Sequence, residues 1–221
     1  MDRSDFEALM QCCAELAARY PEGLVFIGGI AVYLHARNHE ATAALAEFTH
    51  DADAYLSLAD MGDLRDEETL TANRRLSKHQ LVMRGFEFDL YTERQSSLIV
   101  PYDAVLAHAD RIDAMRVACL EHLFVLKLEA YRDRKDSSKG AKDAKDLLRI
   151  AAVAQASGAG FDGALATPYL SDDHLALLER VERGPAPVAL AQGNAVAAKR
   201  LRQSFDRIRQ AVCDPSGSWR P

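Results

Sequence analysis

At 221 residues the chain is long enough to bury a core, and no apolar run approaches the roughly 20 residues of a membrane span. Its 48% hydrophobic and 27% charged content is ordinary for a globular protein, and its four cysteines (Cys12, Cys13, Cys119, Cys213) contain no CxxC pair, so reduced thiols and no zinc site are expected. A net charge of −6 argues against a polyanionic partner until its distribution is considered. Residues 40–68 hold nine acids and one base, residues 132–149 hold seven bases and four acids, and residues 199–209 hold five bases and one acid. An acidic centre flanked by basic segments suits a metal-using site fed by an anionic substrate, although each stretch alone reads rather as a solvated helix face. The first ten residues, MDRSDFEALM, carry early acids and no apolar core of a signal peptide, so a cytoplasmic protein is expected.

In chain order, Phe6, Leu9, Met10, Cys13, Leu16 and Ala17 recur at helical spacing and predict a helix over residues 4–18 with Ser4 as N-cap. Tyr20-Pro21-Glu22-Gly23 closes it. Leu24–Ile27 reads as a short buried strand, Gly28-Gly29 as a break, and Ile30–Arg37 as a helix. Ala52–Leu58 alternates as a strand and Asp63–Asn73 is helix-compatible. His79–Arg84 and Phe86–Tyr91 flank Gly85 as a tight hairpin, and Ser97–Pro101 is a short apolar segment. From about Arg116 the pattern turns helical. Leu120, Leu123, Phe124, Leu126, Lys127, Leu128 and Tyr131 predict one helix, the polar loop 135–140 follows, and Ala141–Ala156 predict another. After a Gly/Ala-rich connection over residues 157–168, Ser171 caps a helix that stops at Gly184-Pro185. A last helix spans about Ala191–Val212, and Pro215–Pro221 reads as a frayed end. The expectation is an α+β fold: a mixed sheet with flanking helices in the N-terminal half (1–115), then a helical half (116–221) completing an active-site cleft.

Three features bear chemistry. A glycine pair between strand and helix is ordinarily a turn, but it also lets the backbone approach an anion beside free helix N–H groups. The dinucleotide fingerprint is absent, because no third glycine follows at its spacing. In T-H-D-A-D-A-Y-L (49–56), Asp51 and Asp53 lie two apart on a strand and share one face. Adjacent carboxylates repel unless protonated, paired or metal-bound, and magnesium would relieve that repulsion. Phe86-Glu87-Phe88-Asp89-Leu90-Tyr91 sets an acid within an apolar alternation, where it needs a partner. A third carboxylate joining the pair across the sheet would complete a two-metal site.

With these residues the chain resembles the nucleotidyltransferase superfamily, whose signature is a GG or GS turn, an hDxDh strand and a further acid-bearing strand. The stretch Leu126-Lys127-Leu128-Glu129-Ala130, then Arg134, then Lys142-Asp143-Ala144-Lys145-Asp146-Leu147, resembles the pattern of AbiEii-like toxins, which include the mycobacterial MenT toxins. The resemblance covers about residues 24–150. It implies that Gly28 and Gly29 hold a nucleoside triphosphate such as ATP or CTP, and that Asp51 and Asp53 bind Mg2+ in a two-metal site. It further implies that Asp89 is the third acid and candidate base, with Glu87 on the same face as the alternative. Lys127 would contact phosphates, and Asp143 and Asp146 would orient Lys127 or the acceptor. On the residues alone, Lys127 reads as a snorkelling surface lysine, and the alternative for Asp143 and Asp146 is helix surface charge paired with Lys139 or Lys142. Two departures stand out: Gly29 replaces a common Ser, and Ala52 replaces a bulkier residue between the aspartates.

The function the resemblance implies is transfer of a nucleoside monophosphate to RNA, at the 3′ end of tRNA, by a toxin with a cognate antitoxin. The basic segments would be the acceptor-binding surfaces. The alternatives are a small-molecule transferase of the antibiotic-modifying kind and a catalytically degenerate nucleotide-binding protein. The antibiotic-modifying relatives place His one residue further from the DxD pair than His50, which favours the toxin-like reading.

Overall fold

The computed structural model describes residues 1–73, 77–94, 96–158 and 160–214. The chain forms two compact units: Met1–Leu34 with Glu47–Cys119, and His35–Ala46 with the chain from Leu120 onward. The segment 215–221, read from sequence as a frayed end, lies outside the described residues.

The first unit begins with α1 (Arg3–Arg19), which buries Phe6, Leu9, Cys12, Cys13, Leu16 and Ala17. Its N-cap is Asp2 rather than Ser4: the Asp2 carboxylate accepts from the Asp5 N–H, and Ser4 falls inside the first turn. After the turn come β1 (Leu24–Ile27) and α2 (Gly28–Arg37), which starts at the glycine pair itself; α3 (Glu40–Ala43), next in the chain, belongs to the second unit. β2 (Asp51–Leu56) leads to α4 (Leu58–Glu67), capped by Ser57, and to β3 (Thr71–Asn73). The helix expected over Asp63–Asn73 therefore lies earlier. Ser57 starts it by accepting from the Asp60 N–H, and Thr71–Asn73 joins the sheet edge instead.

β4 (Lys78–Met83) and β5 (Phe86–Tyr91) form the expected hairpin. Arg84 and Gly85 both have positive φ (51° and 87°), the backbone of a two-residue hairpin turn. α5 (Tyr102–Ala107), β6 (Asp110–Ile112) and β7 (Met115–Val117) depart from the sequence expectation, which has no element over residues 102–115 and a helical pattern from Arg116. The last two are three-residue strands joined at Asp113-Ala114, a left-handed turn made without glycine, so neither periodicity nor turn composition marks them.

Among the described residues the seven strands form one mixed sheet in the order β3-β4-β5-β2-β1-β7-β6. β2 sits centrally, antiparallel to β1 and parallel to β5, with Ala52, Ala54, Tyr55 and Leu56 buried. Phe88 and Leu90 of β5 bury beside them.

The second unit is helical: α6 (Leu120–Arg134), α7 (Ser138–Ala156), α8 (Gly163–Ala166) with a following 3-10 turn at Thr167–Tyr169, α9 (Asp172–Arg183), α10 (Ala186–Leu190) and α11 (Ala195–Cys213), together with α3. Ser137 caps α7 by accepting from the Gly140 N–H, and Asn194 caps α11 by accepting from Val196 and Ala197. That second cap and Gly193 at positive φ start the last helix at Ala195 rather than at the expected residue 191, and the short α10 before it was not expected. Phe124 meets Phe161 edge-on at 5.5 Å and Phe205 at 6.0 Å in the centre of this unit's core. Among the described residues, no helix is long and apolar enough to cross a membrane.

Candidate functional site

Pairing of β1 with β2 sets Ile27 opposite Asp53, so the chain leaves β1 at Gly28 beside the DxD motif. Gly28 has φ +64°, and a Cβ built on it would lie 2.3 Å from Asp53 Oδ2 and 3.0 Å from Asp53 Cβ and Cγ. Only glycine fits both the left-handed backbone and that approach. A Cβ on Gly29 would lie 2.8 Å from Thr49 Oγ1, and that buried hydroxyl donates to Asp51 Oδ1 at 2.9 Å. Each glycine of the pair therefore gives room to one side chain of the T-H-D-A-D segment. Leaving β1 at a turn and approaching the carboxylates closely are one arrangement.

The parallel register of β2 and β5 places Asp51 beside Glu87 and Asp53 beside Asp89. Strand alternation puts these four on one face, while Ala52–Phe88 and Ala54–Leu90 pair on the other, into the core. Both candidates for the third acid are thus on the expected face, and they differ in setting. Glu87 is exposed, whereas the Asp89 side chain is 17% exposed. Lys78 Nζ is in contact with Asp89 Oδ2, and Gln80 Nε2 donates to Asp89 Oδ1 at 3.3 Å, both from β4. This answers the cost of an acid on the second face of a core strand, through a partner not singled out from sequence.

The residue types on this face are hard oxygen donors, and they fit a hard divalent cation. In the present side-chain arrangement Asp89 is turned to Lys78 and Asp51 to Thr49. Among the described residues, no three of His, Cys, Asp and Glu are gathered around one point as ligands.

The helical unit carries the other sequence-selected residues in a buried ionic network. Lys127 of α6 lies 2.7 Å from Asp146 Oδ2 and 3.7 Å from Asp143 Oδ1 of α7, with side-chain exposures of 9%, 3% and 2%. Arg134 forks onto both oxygens of Asp143 at 2.7 and 3.0 Å. Arg149 Nη1 donates to Asp146 Oδ1 at 2.7 Å, and its Nε to the Leu45 carbonyl at 2.7 Å. The Lys127–Asp146 approach is an ion contact rather than a well-angled hydrogen bond, since Asp146 Oδ2 has no partner of that geometry. Burial works to raise the Asp146 pKa, but the charges of Lys127 and Arg149, with the Arg149 hydrogen bond, outweigh it and hold the carboxyl below its usual range.

These aspartates are therefore buried charges held by Lys127, Arg134 and Arg149 rather than helix surface charges, and Lys127 is not a snorkelling surface lysine. Arg149 was not selected from sequence, although its i, i+3 spacing from Asp146 was available as a signal. Arg149 is buried and Arg134 is committed to Asp143, so neither is a plain member of the basic surface expected over 132–149. Lys139, Lys199 and Arg200 are exposed.

No protein-family model and no curated protein matches the chain. Solved structures do. JHP933 from Helicobacter pylori is 16% identical, with 98% of this chain and 96% of that chain covered at a TM-score of 0.50. A candidate nucleotidyltransferase from H. pylori is 13% identical (96% and 97% covered, TM-score 0.48). An antigenic nucleotidyltransferase-like protein from Paracoccidioides brasiliensis is 12% identical (90% and 94% covered, TM-score 0.47). The likeness to JHP933 extends over nearly the whole of both chains and is a likeness of fold: a mixed sheet with flanking helices and a helical C-terminal half.

Proposed function

We propose that the chain is a nucleotidyltransferase, moving a nucleoside monophosphate from a nucleoside triphosphate to an acceptor hydroxyl. The observation that carries this reading is the block of four carboxylates on β2 and β5, with Gly28 pressed against Asp53. Asp51, Asp53 and Asp89 would hold magnesium, and Asp89 is also the candidate base for the acceptor hydroxyl's proton. Magnesium, when bound, would neutralise the triphosphate and the developing charge on the leaving pyrophosphate. Gly28 and Gly29 keep the backbone close to the aspartates without side chains in the way, which suits a bulky triphosphate. For the helical unit, Lys127 is proposed as a phosphate-contacting point charge, with Asp143 and Asp146 as the groups that fix its ammonium.

The finer part of the proposal is an RNA acceptor, the 3′ end of tRNA, and a toxin role opposed by a cognate antitoxin. It rests on the sequence resemblance and on the exposed cations Lys139, Lys199 and Arg200. The test is incubation of the protein with each labelled NTP, magnesium, and either total RNA or a panel of small-molecule antibiotics. Label in tRNA that vanishes with Asp53→Ala supports the full reading. Label confined to a small molecule keeps the nucleotidyltransferase and removes the RNA acceptor, and transfer undiminished in Asp53→Ala overturns the carboxylate site.

A further inference from the structure

We propose that Lys78 is a built-in competitor for the divalent cation at Asp89, a positioning residue whose ammonium must leave before Asp89 can serve as a ligand. The inference rests on the reading of Asp51, Asp53 and Asp89 as cation ligands. The hairpin register sets Gln80 directly opposite Asp89, so Lys78, two residues earlier, stands on the same face diagonal to it. Both Asp89 oxygens are engaged from β4, Oδ2 by the Lys78 ammonium and Oδ1 by the Gln80 amide at 3.3 Å. The side chains of Lys78 and Asp89 are only 11% and 17% exposed, so bulk water screens their contact poorly.

On a face with four carboxylates, this one ammonium neutralises the acid that sits in register with Asp53. A divalent cation approaching the same oxygens meets a like charge in contact with its ligand. Lysine suits a displaceable role: its charge sits at the end of a flexible four-carbon stem and can move to another anion, such as a triphosphate oxygen, where a planar arginine fork would be harder to shift. Gln80 is neutral and can stay hydrogen-bonded to Asp89 while the cation changes.

The test is Mn2+ binding to the full chain without nucleotide, read from the electron paramagnetic resonance signal of free Mn2+. Lys78→Met removes the competitor and is expected to tighten Mn2+ binding about tenfold, the scale of removing one unit charge in contact with a ligand in a partly screened site. Lys78→Arg keeps the charge and should bind no tighter than the wild type. Lys78→Met with Asp89→Asn should lose the gain. If Lys78→Met does not fold, because Asp89 is left without its cation, Lys78→Gln carries the same comparison with a neutral hydrogen-bonding side chain. Equal Mn2+ affinity in the wild type and the neutral variants overturns the inference and leaves the carboxylate site standing. Absence of Mn2+ binding in every variant overturns the carboxylate reading, and the inference with it.

Discussion

Replacing Gly28 by alanine tests the link between the turn and the carboxylates. At φ +64° an L-residue costs about 1–2 kcal/mol through the clash of its Cβ with the backbone. The new Cβ would also lie 2.3 Å from Asp53 Oδ2 and 3.0 Å from Asp53 Cβ and Cγ. Rotating the carboxylate relieves the first contact but not the approach to Asp53 Cβ, so β2 must shift, at the roughly 1–3 kcal/mol typical of overpacking. The expected loss is about 2–5 kcal/mol in urea unfolding followed by circular dichroism, a large share of an ordinary domain's stability. The nucleotidyl transfer proposed for the chain, measured where the variant is still folded, should fall far more than stability does, because the displaced group is the Asp53 carboxylate. Gly85→Ala is the control. Its φ of +87° also disfavours alanine, but nothing lies within 4 Å of the added Cβ, so about 1–2 kcal/mol of backbone cost is expected with transfer retained. If Gly28→Ala stays within about 0.5 kcal/mol of the wild type, the scale of an uninvolved surface change, or matches Gly85→Ala in both stability and transfer, close approach of Gly28 to Asp53 is not required.

Asp146→Ala leaves Lys127 and Arg149 buried without their shared carboxylate and should cost about 3–5 kcal/mol, measured by urea unfolding at neutral pH. Because the native Asp146 pKa is depressed, its stabilisation is present above the unfolded carboxyl pKa and is lost as pH falls through the native value. The stability gap between wild type and Asp146→Ala should therefore narrow as pH drops below about 4. Tyr55, whose hydroxyl donates to the Val100 carbonyl at 2.5 Å, has its pKa pushed up to about 12 by burial. The native state then holds a proton that the unfolded state releases near pH 10, so stability should fall by about 2–3 kcal/mol between pH 10 and 12. Tyr55→Phe should flatten that alkaline decline in the same unfolding assay; an equally steep decline would refute the assignment to Tyr55.

The sequence was most legible where side-chain alternation and local turn chemistry act together. Leu24–Ile27 and Phe86–Tyr91 appear at the bounds read from sequence, and α9 follows its Ser171 cap, whereas α7 starts at Ser138, inside the loop expected over 135–140, because Ser137 caps it. The acid face of Asp51, Asp53, Glu87 and Asp89 was readable because a strand's period of two fixes which residues share a side. What escaped was set by pairing partners distant in the chain. β7 is too short to show any period, and it exists because Phe26 of β1 takes Val117 as a parallel partner and accepts from the Ala118 N–H at 2.9 Å. His35–Ala46 belongs with the helical unit through contacts such as that of Arg149 with the Leu45 carbonyl, 104 positions away. Arg149 itself reads as a surface charge until α3 is placed over it.

Lys78 shows how narrow the gap between pattern and partner can be. A hairpin centred on Gly85 alone, between His79–Arg84 and Phe86–Tyr91, leaves the register open by one residue. With Arg84 and Gly85 together as the turn, Met83 faces Phe86, and every later pair follows by counting: Val82 with Glu87, Leu81 with Phe88, Gln80 with Asp89. Counting also settles the faces. Leu81 goes to the core with Phe88, so Gln80 and Lys78 must project with Asp89, on the side of the carboxylates. A shift of one residue would have turned Lys78 and Gln80 toward the core and offered Asp89 the side of β4 that carries His79 and Leu81. The turn between β4 and β5 therefore does more than reverse the chain: it decides that the third acid meets a cation from its own sheet.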